Sequence, residues 1–250
     1  MSFLVGIPVY NEEKYVLHVI GEVQKYTGHI FVVDDGSTDA TAELLGGIRG
    51  IDVLKHAENK GYGASLTDIF TYACRNGYEY VVTMDCDAQH EPHQILDFVD
   101  VAPEVDIVSG SRYLQKNDGD DIPPPDRRGV NVEVTKLINE ATGYNLTDAF
   151  CGFKAYNVAS VRKLCLTETG YGMPLQLWLQ AAKKDLTVRE IPVSLIYGDA
   201  SRGFGSGLDD PDARLRYYLD VIDREKQAQP RDGVCGLCRR PLERPPDEES

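Results

Sequence analysis

The chain repeatedly drives an apolar, β-prone run into a polar cluster and then changes to helical spacing, and this alternation constrains the fold more than any single residue does. Phe3–Val9 ends at Tyr10-Asn11-Glu12, after which Tyr15, Val16, Val19, Ile20 and Val23 recur at the period of a helix. Ile30–Val33 stops at Asp34-Asp35-Gly36-Ser37-Thr38-Asp39, where Ser37 or Thr38 is a natural N-cap for a short helix through Leu45. Ile51–Leu54 precedes Asn59-Lys60-Gly61-Tyr62-Gly63, which opens a helix over Ala64–Arg75. Tyr80–Met84 runs into Asp85-Cys86-Asp87-Ala88-Gln89-His90, and Pro92 then sits at a tolerated first helical position. Val105–Ser109 reads as a fifth strand. Repeated βα units imply a mostly parallel sheet with helices on both faces. Ligands of such sheets lie beyond the carboxyl ends of the strands, which is where each polar cluster falls.

Past residue 110 the alternation weakens. Leu114–Arg128 is charged and proline-rich and reads as a mobile surface loop. Val130–Ala141 and Met173–Lys184 have helical spacing, Thr187–Ile196 reads as a strand, Asp199–Asp212 as a glycine-rich flexible segment, and Asp212–Lys226 as a helix. Residues 1–226 are thus expected to form one domain, followed by a tail of disordered composition that carries Cys235-Gly236-Leu237-Cys238. That pair is half of a four-ligand zinc site. An unmetallated tail, or a site shared between two chains of a homo-oligomer, both stay open.

On an extended chain residues i and i+2 face the same way, so Asp85 and Asp87 are placed to converge where the fourth strand leaves the core. Two carboxylates and the amide oxygen of Gln89 suit a Mg²⁺ or Mn²⁺ that keeps positions open for water and phosphate oxygens. The same residues also suit a polar strand end entering a turn. His90 and His93 flank the motif and are expected at the surface of a helix start. The formal charge of −14 argues against a nucleic-acid partner and makes binding of an anion depend on local cations and a metal. No apolar run approaches a membrane span. An N-terminus read as a strand and six scattered cysteines point to a reducing, cytoplasmic setting.

Pro8-Val9-Tyr10-Asn11-Glu12, Val32-Val33-Asp34-Asp35-Gly36-Ser37-Thr38-Asp39, Met84-Asp85-Cys86-Asp87-Ala88-Gln89-His90 and Ser109-Gly110-Ser111-Arg112-Tyr113 occur in this order. Asp148-Ala149-Phe150-Cys151-Gly152-Phe153-Lys154 and Ile191-Pro192-Val193 follow. As a set spanning about residues 3–205, they resemble the family 2 inverting glycosyltransferases, particularly the dolichyl- and polyprenyl-phosphate mannose and glucose synthases. The resemblance implies an α/β fold of the GT-A type, a Rossmann-like αβα sandwich that uses Mg²⁺ or Mn²⁺ and a UDP- or GDP-sugar.

The resemblance also implies roles. Pro8, Tyr10 and Glu12 would line the base and ribose pocket, Asp35 would accept from the base edge, and Lys60 would reach the nucleotide. Asp87 and Gln89 would hold the metal on the diphosphate, with Asp85 near the ribose and the metal's waters. Arg112 matches a position near the phosphates. Arg127 and Arg128, before Gly129-Val130-Asn131, resemble the arginine segment that grips a lipid phosphate, a task suited to guanidinium. Arg202 matches a late basic residue that closes over the diphosphate, and Gln176 matches a glutamine of the phosphate-using branch. Trp178 departs from the glutamate common there. Asp148 is either a base or, the favoured reading, a residue that orients the Cys151-Gly152-Phe153 turn.

The expected activity is metal-dependent, inverting transfer of a hexose from a nucleotide sugar to polyprenyl phosphate at the inner membrane surface. Alternatives are transfer to a saccharide or small-molecule hydroxyl, and a catalytically idle nucleotide-sugar-binding protein. A sugar-nucleotide pyrophosphorylase is disfavoured because Tyr10-Asn11-Glu12 stands where its glycine-rich loop would be.

Overall fold

In chain order the elements are β1 (Phe3–Val9), α1 (Val16–Val23), β2 (Ile30–Asp34), α2 (Thr41–Gly46), β3 (Asp52–Lys55), α3 (Tyr62–Arg75), β4 (Tyr80–Thr83) and α4 (Ile95–Val101). They continue with β5 (Ile107–Ser111), α5 (Pro125–Thr142), β6 (Lys154–Asn157), α6 (Val158–Val161), α7 (Met173–Lys183), β7 (Val188–Pro192) and α8 (Pro211–Gln227). This computed structural model describes residues 1–116, 119–197, 203, 207–228 and 242. Arg202 and the Cys235/Cys238 pair lie outside the described residues.

The strands form one sheet in the order β3-β2-β1-β4-β6-β5-β7. β1 pairs parallel with β2 and β4, β2 with β3, and β5 with β7, whereas β6 pairs antiparallel with both β4 and β5. The sheet is therefore mostly parallel, as the βα repeats required.

Alternation along the strands sends residues to opposite faces. Leu4, Phe31, Val33 and Val81 pack with α3, α5, α7 and α8 on one side. Val5, Ile7, Val9, Val32 and Val82 pack with α1, α2 and α4 on the other. Gly6 sits on the α3 side, where an added Cβ would come within 2.2 Å of Ile69, so its lack of a side chain brings α3 down onto β1.

Several local expectations change. Thr41, not Ser37 or Thr38, opens α2, with Asp39 Oδ1 accepting from the Thr41 N–H at 2.9 Å. Ser37 and Thr38 instead tie down the β1–α1 loop: Ser37 Oγ accepts from the Asn11 N–H at 3.0 Å, and the Thr38 N–H donates to Asn11 Oδ1 at 2.8 Å. β5 begins at Ile107 because a tight turn at Ala102–Glu104 precedes it. α5 starts five residues before Val130, with Pro125 in its first turn, so Arg127 and Arg128 belong to a helix and not to a surface loop. Ahead of it, Asp120 and Asp121 are pinned to the segment after β7 by bonds with Leu195 and Tyr197. β6 and the short α6 carry no periodicity that marks them in the sequence. α8 begins one residue before Asp212, capped by Asp210 Oδ1 accepting from the Ala213 N–H at 2.7 Å.

Candidate active site

β1 lies between β2 and β4, where the order of strands reverses, and such a switch point opens a crevice beyond the strand ends. The registers Val9↔Asp34 and Gly6↔Thr83 bring the chain just past β1, β2 and β4 to neighbouring places. There a cavity of about 940 Å³ is lined by Pro8, Tyr10, Glu12, Asp35, Asp85, Asp87, Gln89, Arg112 and Arg127, among others. Nine residues named from the sequence thus share one cavity.

The two acidic residues past β4 are held differently. Asp85 Oδ1 accepts from the Tyr62 hydroxyl at 3.1 Å, and the Asp85 N–H donates to His90 Nδ1 at 3.2 Å. Behind Asp85 lies Gly152, where a Cβ would stand 2.2 Å from Asp85 Oδ2. Only a residue without a side chain leaves room for that carboxylate. Burial pushes the Asp85 carboxyl above its ordinary pKa, and the charge of Asp87 adds to the effect against an opposing contribution from His90. Asp87 Oδ1 accepts from the Gln89 N–H at 3.1 Å across a turn in which Ala88 takes a left-handed φ of 58°. For a residue with a Cβ that conformation costs about 1 kcal/mol. His90 is not a surface residue: it is 9% exposed, its Nε2 faces Cys151 Sγ at 4.0 Å, and it braces the backbone of Asp85.

Past β2 the two aspartates divide their tasks. Asp34 Oδ1 accepts from the Ser37 N–H at 2.9 Å and holds the turn. Asp35 reaches the cavity, with the N–H groups of Lys60 and Gly61 each donating to it at 2.8 Å. The Lys60 backbone thus helps to hold Asp35, and Lys60 is not among the residues that line the cavity.

The opposite wall is basic and aromatic. Arg112 lines it, its Nε donating to Asp148 Oδ2 at 2.7 Å and its Nη2 to Asp148 Oδ1 at 3.0 Å. Asn131 and the Phe150 N–H also donate to the same carboxylate. Asp148 is fully buried, and although burial opposes ionisation, the Arg112 charge and these hydrogen bonds hold its carboxyl down at about 2. A group so bound is no proton acceptor near neutrality. It orients Arg112 and the Phe150 turn.

Arg127 reaches the cavity, whereas Arg128 stacks its guanidinium 3.6 Å over the Tyr113 ring and buries an Nη1 without a hydrogen-bond partner among the described residues. Gln176 does not face the cavity. It braces the 167–168 turn, accepting from the Thr167 and Glu168 N–H groups at 2.7 and 2.9 Å and donating to Glu225 at 2.9 Å. Trp178 is fully buried, its indole N–H donating to the Ala149 carbonyl at 2.9 Å, so its departure from the family pattern concerns packing.

Several wall residues were not legible as such. Arg214, Tyr217 and Tyr218 of α8 line the cavity with Phe150, Tyr171 and Tyr197. Arg214 is 2% exposed and donates to the Leu208 carbonyl and to Asp126 Oδ2, which ties α8 to the start of α5. The helical spacing of Arg214 and Tyr218 is the only sequence trace of this wall.

Comparison with known proteins agrees with this arrangement. The family described as glycosyl transferase family 2 matches residues 4–165. The polyprenol monophosphomannose synthase of Mycolicibacterium smegmatis is 31% identical over 76% of this chain and 76% of its own length. The UDP-N-acetylglucosamine–dolichyl-phosphate N-acetylglucosaminyltransferase of Methanococcus voltae is 26% identical over 81% and 88%. Among solved structures, glucosyl-3-phosphoglycerate synthase from Mycobacterium tuberculosis, in complex with UDP, superposes with a TM-score of 0.69 at 18% identity, covering 90% of this chain and 79% of that one. The fold is that of the GT-A glycosyltransferases. With the family pattern spanning β1 to the residues after α6, the chain belongs to glycosyl transferase family 2 and is a glycosyltransferase.

Proposed function

We propose that this protein transfers a hexose, with inversion, from a nucleoside-diphosphate sugar to a polyprenyl phosphate. The observation that carries this reading is the joining, in one cavity, of a carboxylate-bearing end at the β1–β4 switch with an arginine- and tyrosine-lined end built from α5 and α8. The first end suits a nucleotide and its diphosphate: Pro8, Tyr10, Glu12 and Asp35 beside Asp85, Asp87 and Gln89. The second suits an anion that carries an apolar chain. The names of relatives that act on polyprenol, dolichyl and undecaprenyl phosphates support the same acceptor.

The donor set past β4 fits a divalent cation. Burial and the nearby charge of Asp87 push the Asp85 carboxyl above its ordinary pKa, a cost that a cation set beside both acids would relieve. Asp85, Asp87 and Gln89 would hold Mg²⁺ or Mn²⁺ with positions left for phosphate oxygens, and the ion would supply electrostatic stabilisation of the departing diphosphate. Structural neighbours crystallised with Mn²⁺ or Mg²⁺ and UDP support that choice.

The reaction forms a bond between an acceptor phosphate oxygen and C1 of the sugar while the C1–oxygen bond to the nucleoside diphosphate breaks on the opposite face. A phosphate monoester has a second pKa of about 6 and arrives ionised. That removes the need for a base, which accords with the low pKa of Asp148. Arg112 and Arg127 face the cavity, and both are guanidinium groups suited to an acceptor phosphate. No helix among the described residues is long and apolar enough to cross a membrane.

The test is transfer from radiolabelled UDP- and GDP-sugars with Mn²⁺ to polyprenyl phosphate in detergent, beside free sugars and phosphoglycerate as competing acceptors. A glycolipid that forms with the wild type and not with Asp87→Ala is the expected product. Transfer to hydroxyl acceptors alone would overturn the lipid-phosphate assignment.

A further inference from the structure

Behind the cavity lies a buried charge relay that the transfer reaction does not use. His56, 2% exposed, follows β3; its Nδ1 stands 2.6 Å from Asp35 Oδ1 and its Nε2 stands 2.9 Å from Asp68 Oδ2 on α3. Asp35 and Asp68 are themselves 3% and 6% exposed. The His56 N–H donates to the Asp34 carbonyl at 2.8 Å, which fixes the ring under the end of β2.

Both ring nitrogens face carboxylate oxygens. A neutral imidazole would set a bare lone pair against one of them in a dry site, so both nitrogens carry protons and the ring is cationic. Burial opposes that charge, but the hydrogen bonds and charges of Asp35 and Asp68 prevail and push the imidazole up to about 9. On its inner side Asp35 meets this cation and two backbone N–H groups, all of them donors, and a carboxylate set among donors only accepts hydrogen bonds.

The acceptor capacity of Asp35 is nearly spent. Oδ1 takes His56 and the Lys60 N–H, and Oδ2 takes the Gly61 N–H. Of about four lone-pair sites on a carboxylate, one remains, on Oδ2. Given the reading of Asp35 as the base-facing carboxylate, we infer that His56 is a positioning residue for donor recognition, clamped by Asp68 so that Asp35 offers one acceptor and no donor to the base. Uracil N3–H and guanine N1–H satisfy such a group. Cytosine N3 and adenine N1 present lone pairs to it and leave both partners unpaired, which a buried site penalises heavily.

The test is calorimetric titration of wild type, Asp35→Asn, His56→Asn and Asp68→Asn with UDP, GDP, CDP and ADP in the presence of Mn²⁺, together with donor KM and kcat. Wild type should bind UDP or GDP at least roughly 100-fold more tightly than CDP or ADP. His56→Asn should shrink that ratio by about tenfold or more and raise donor KM, with kcat at saturation little changed. A purely structural role would weaken all four nucleotides alike and would overturn the inference.

An Asp35→Asn protein that binds every nucleotide as wild type does would instead overturn the base-pocket reading itself. If His56→Asn fails to fold, the ring ¹⁵N resonances of the wild type decide. Two protonated nitrogens at neutral pH support the clamp, and a neutral ring refutes it.

Discussion

The guanidinium of Arg112 lies in a fork made by both oxygens of Asp148, at 2.7 and 3.0 Å, with the carboxylate fully buried and the arginine reaching the cavity. One residue past β5 is thereby aimed by an acid 36 positions away. Asp148→Asn strands the arginine, and breaking such a pair costs about 3 kcal/mol where one partner still meets solvent. Denaturant unfolding should read that loss. The folded carboxyl titrates near 2 against an ordinary 3.8, so its contribution is complete above about pH 4 and disappears as pH falls towards 2. The acid unfolding curve of the variant should lack that slope.

Gly152→Ala places a methyl where Asp85 Oδ2 now lies, 2.2 Å from the ideal Cβ. The carboxylate must rotate away from the position it shares with the Tyr62 hydroxyl. Mn²⁺-dependent release of nucleoside diphosphate should fall by about tenfold or more, while far-UV circular dichroism stays that of the wild type. Unchanged turnover would mean that Asp85 is free to move without consequence.

The His56 clamp makes stability depend on pH at the alkaline end. Its folded pKa of about 9 lies above the ordinary 6.5, so the stabilisation is complete below about pH 6.5 and is lost as pH rises through 9. The difference corresponds to about 3 kcal/mol. Thermal midpoints should fall across that window in the wild type and stay flatter in Asp68→Asn.

Arg127→Ala removes a cavity-facing cation while Arg112 stays in its fork. Acceptor KM should rise by about tenfold, as expected for one charge-assisted contact to a phosphate, with UDP or GDP affinity near that of the wild type. Equal loss of both would assign the arginine to the donor.

Trp178→Phe deletes the indole N–H and leaves the Ala149 carbonyl unpaired in the core. The cost should be about 1–3 kcal/mol in unfolding free energy. Acceptor preference should not change, because the ring is sealed away from the cavity.

Alternating apolar runs and helical spacing through β5 specified a mostly parallel sheet, and the polar clusters at the strand ends marked where a ligand would sit. That much was readable because each strand reports its own burial and each β-to-α transition falls at the same sheet edge. Period and local chemistry placed the polar clusters, Asp85, Asp87 and Gln89 among them, at one sheet edge; the family resemblance singled out Pro8, Tyr10 and Asp35, and all six line one cavity. Both readings were silent on which carboxylate oxygens remain open, since that depends on partners far along the chain: His56 for Asp35, Tyr62 and Gly152 for Asp85. Only the tertiary structure inserts β6, reversed, between β4 and β5 and carries Cys151-Gly152-Phe153 beneath the acidic turn. It alone withdraws Gln176 and Trp178 into the interior and brings Arg214 and Tyr217 of α8 to the cavity wall. The physical reason is that periodicity encodes which side of an element is dry, whereas the identity of the atoms covering that side is settled by how distant elements pack.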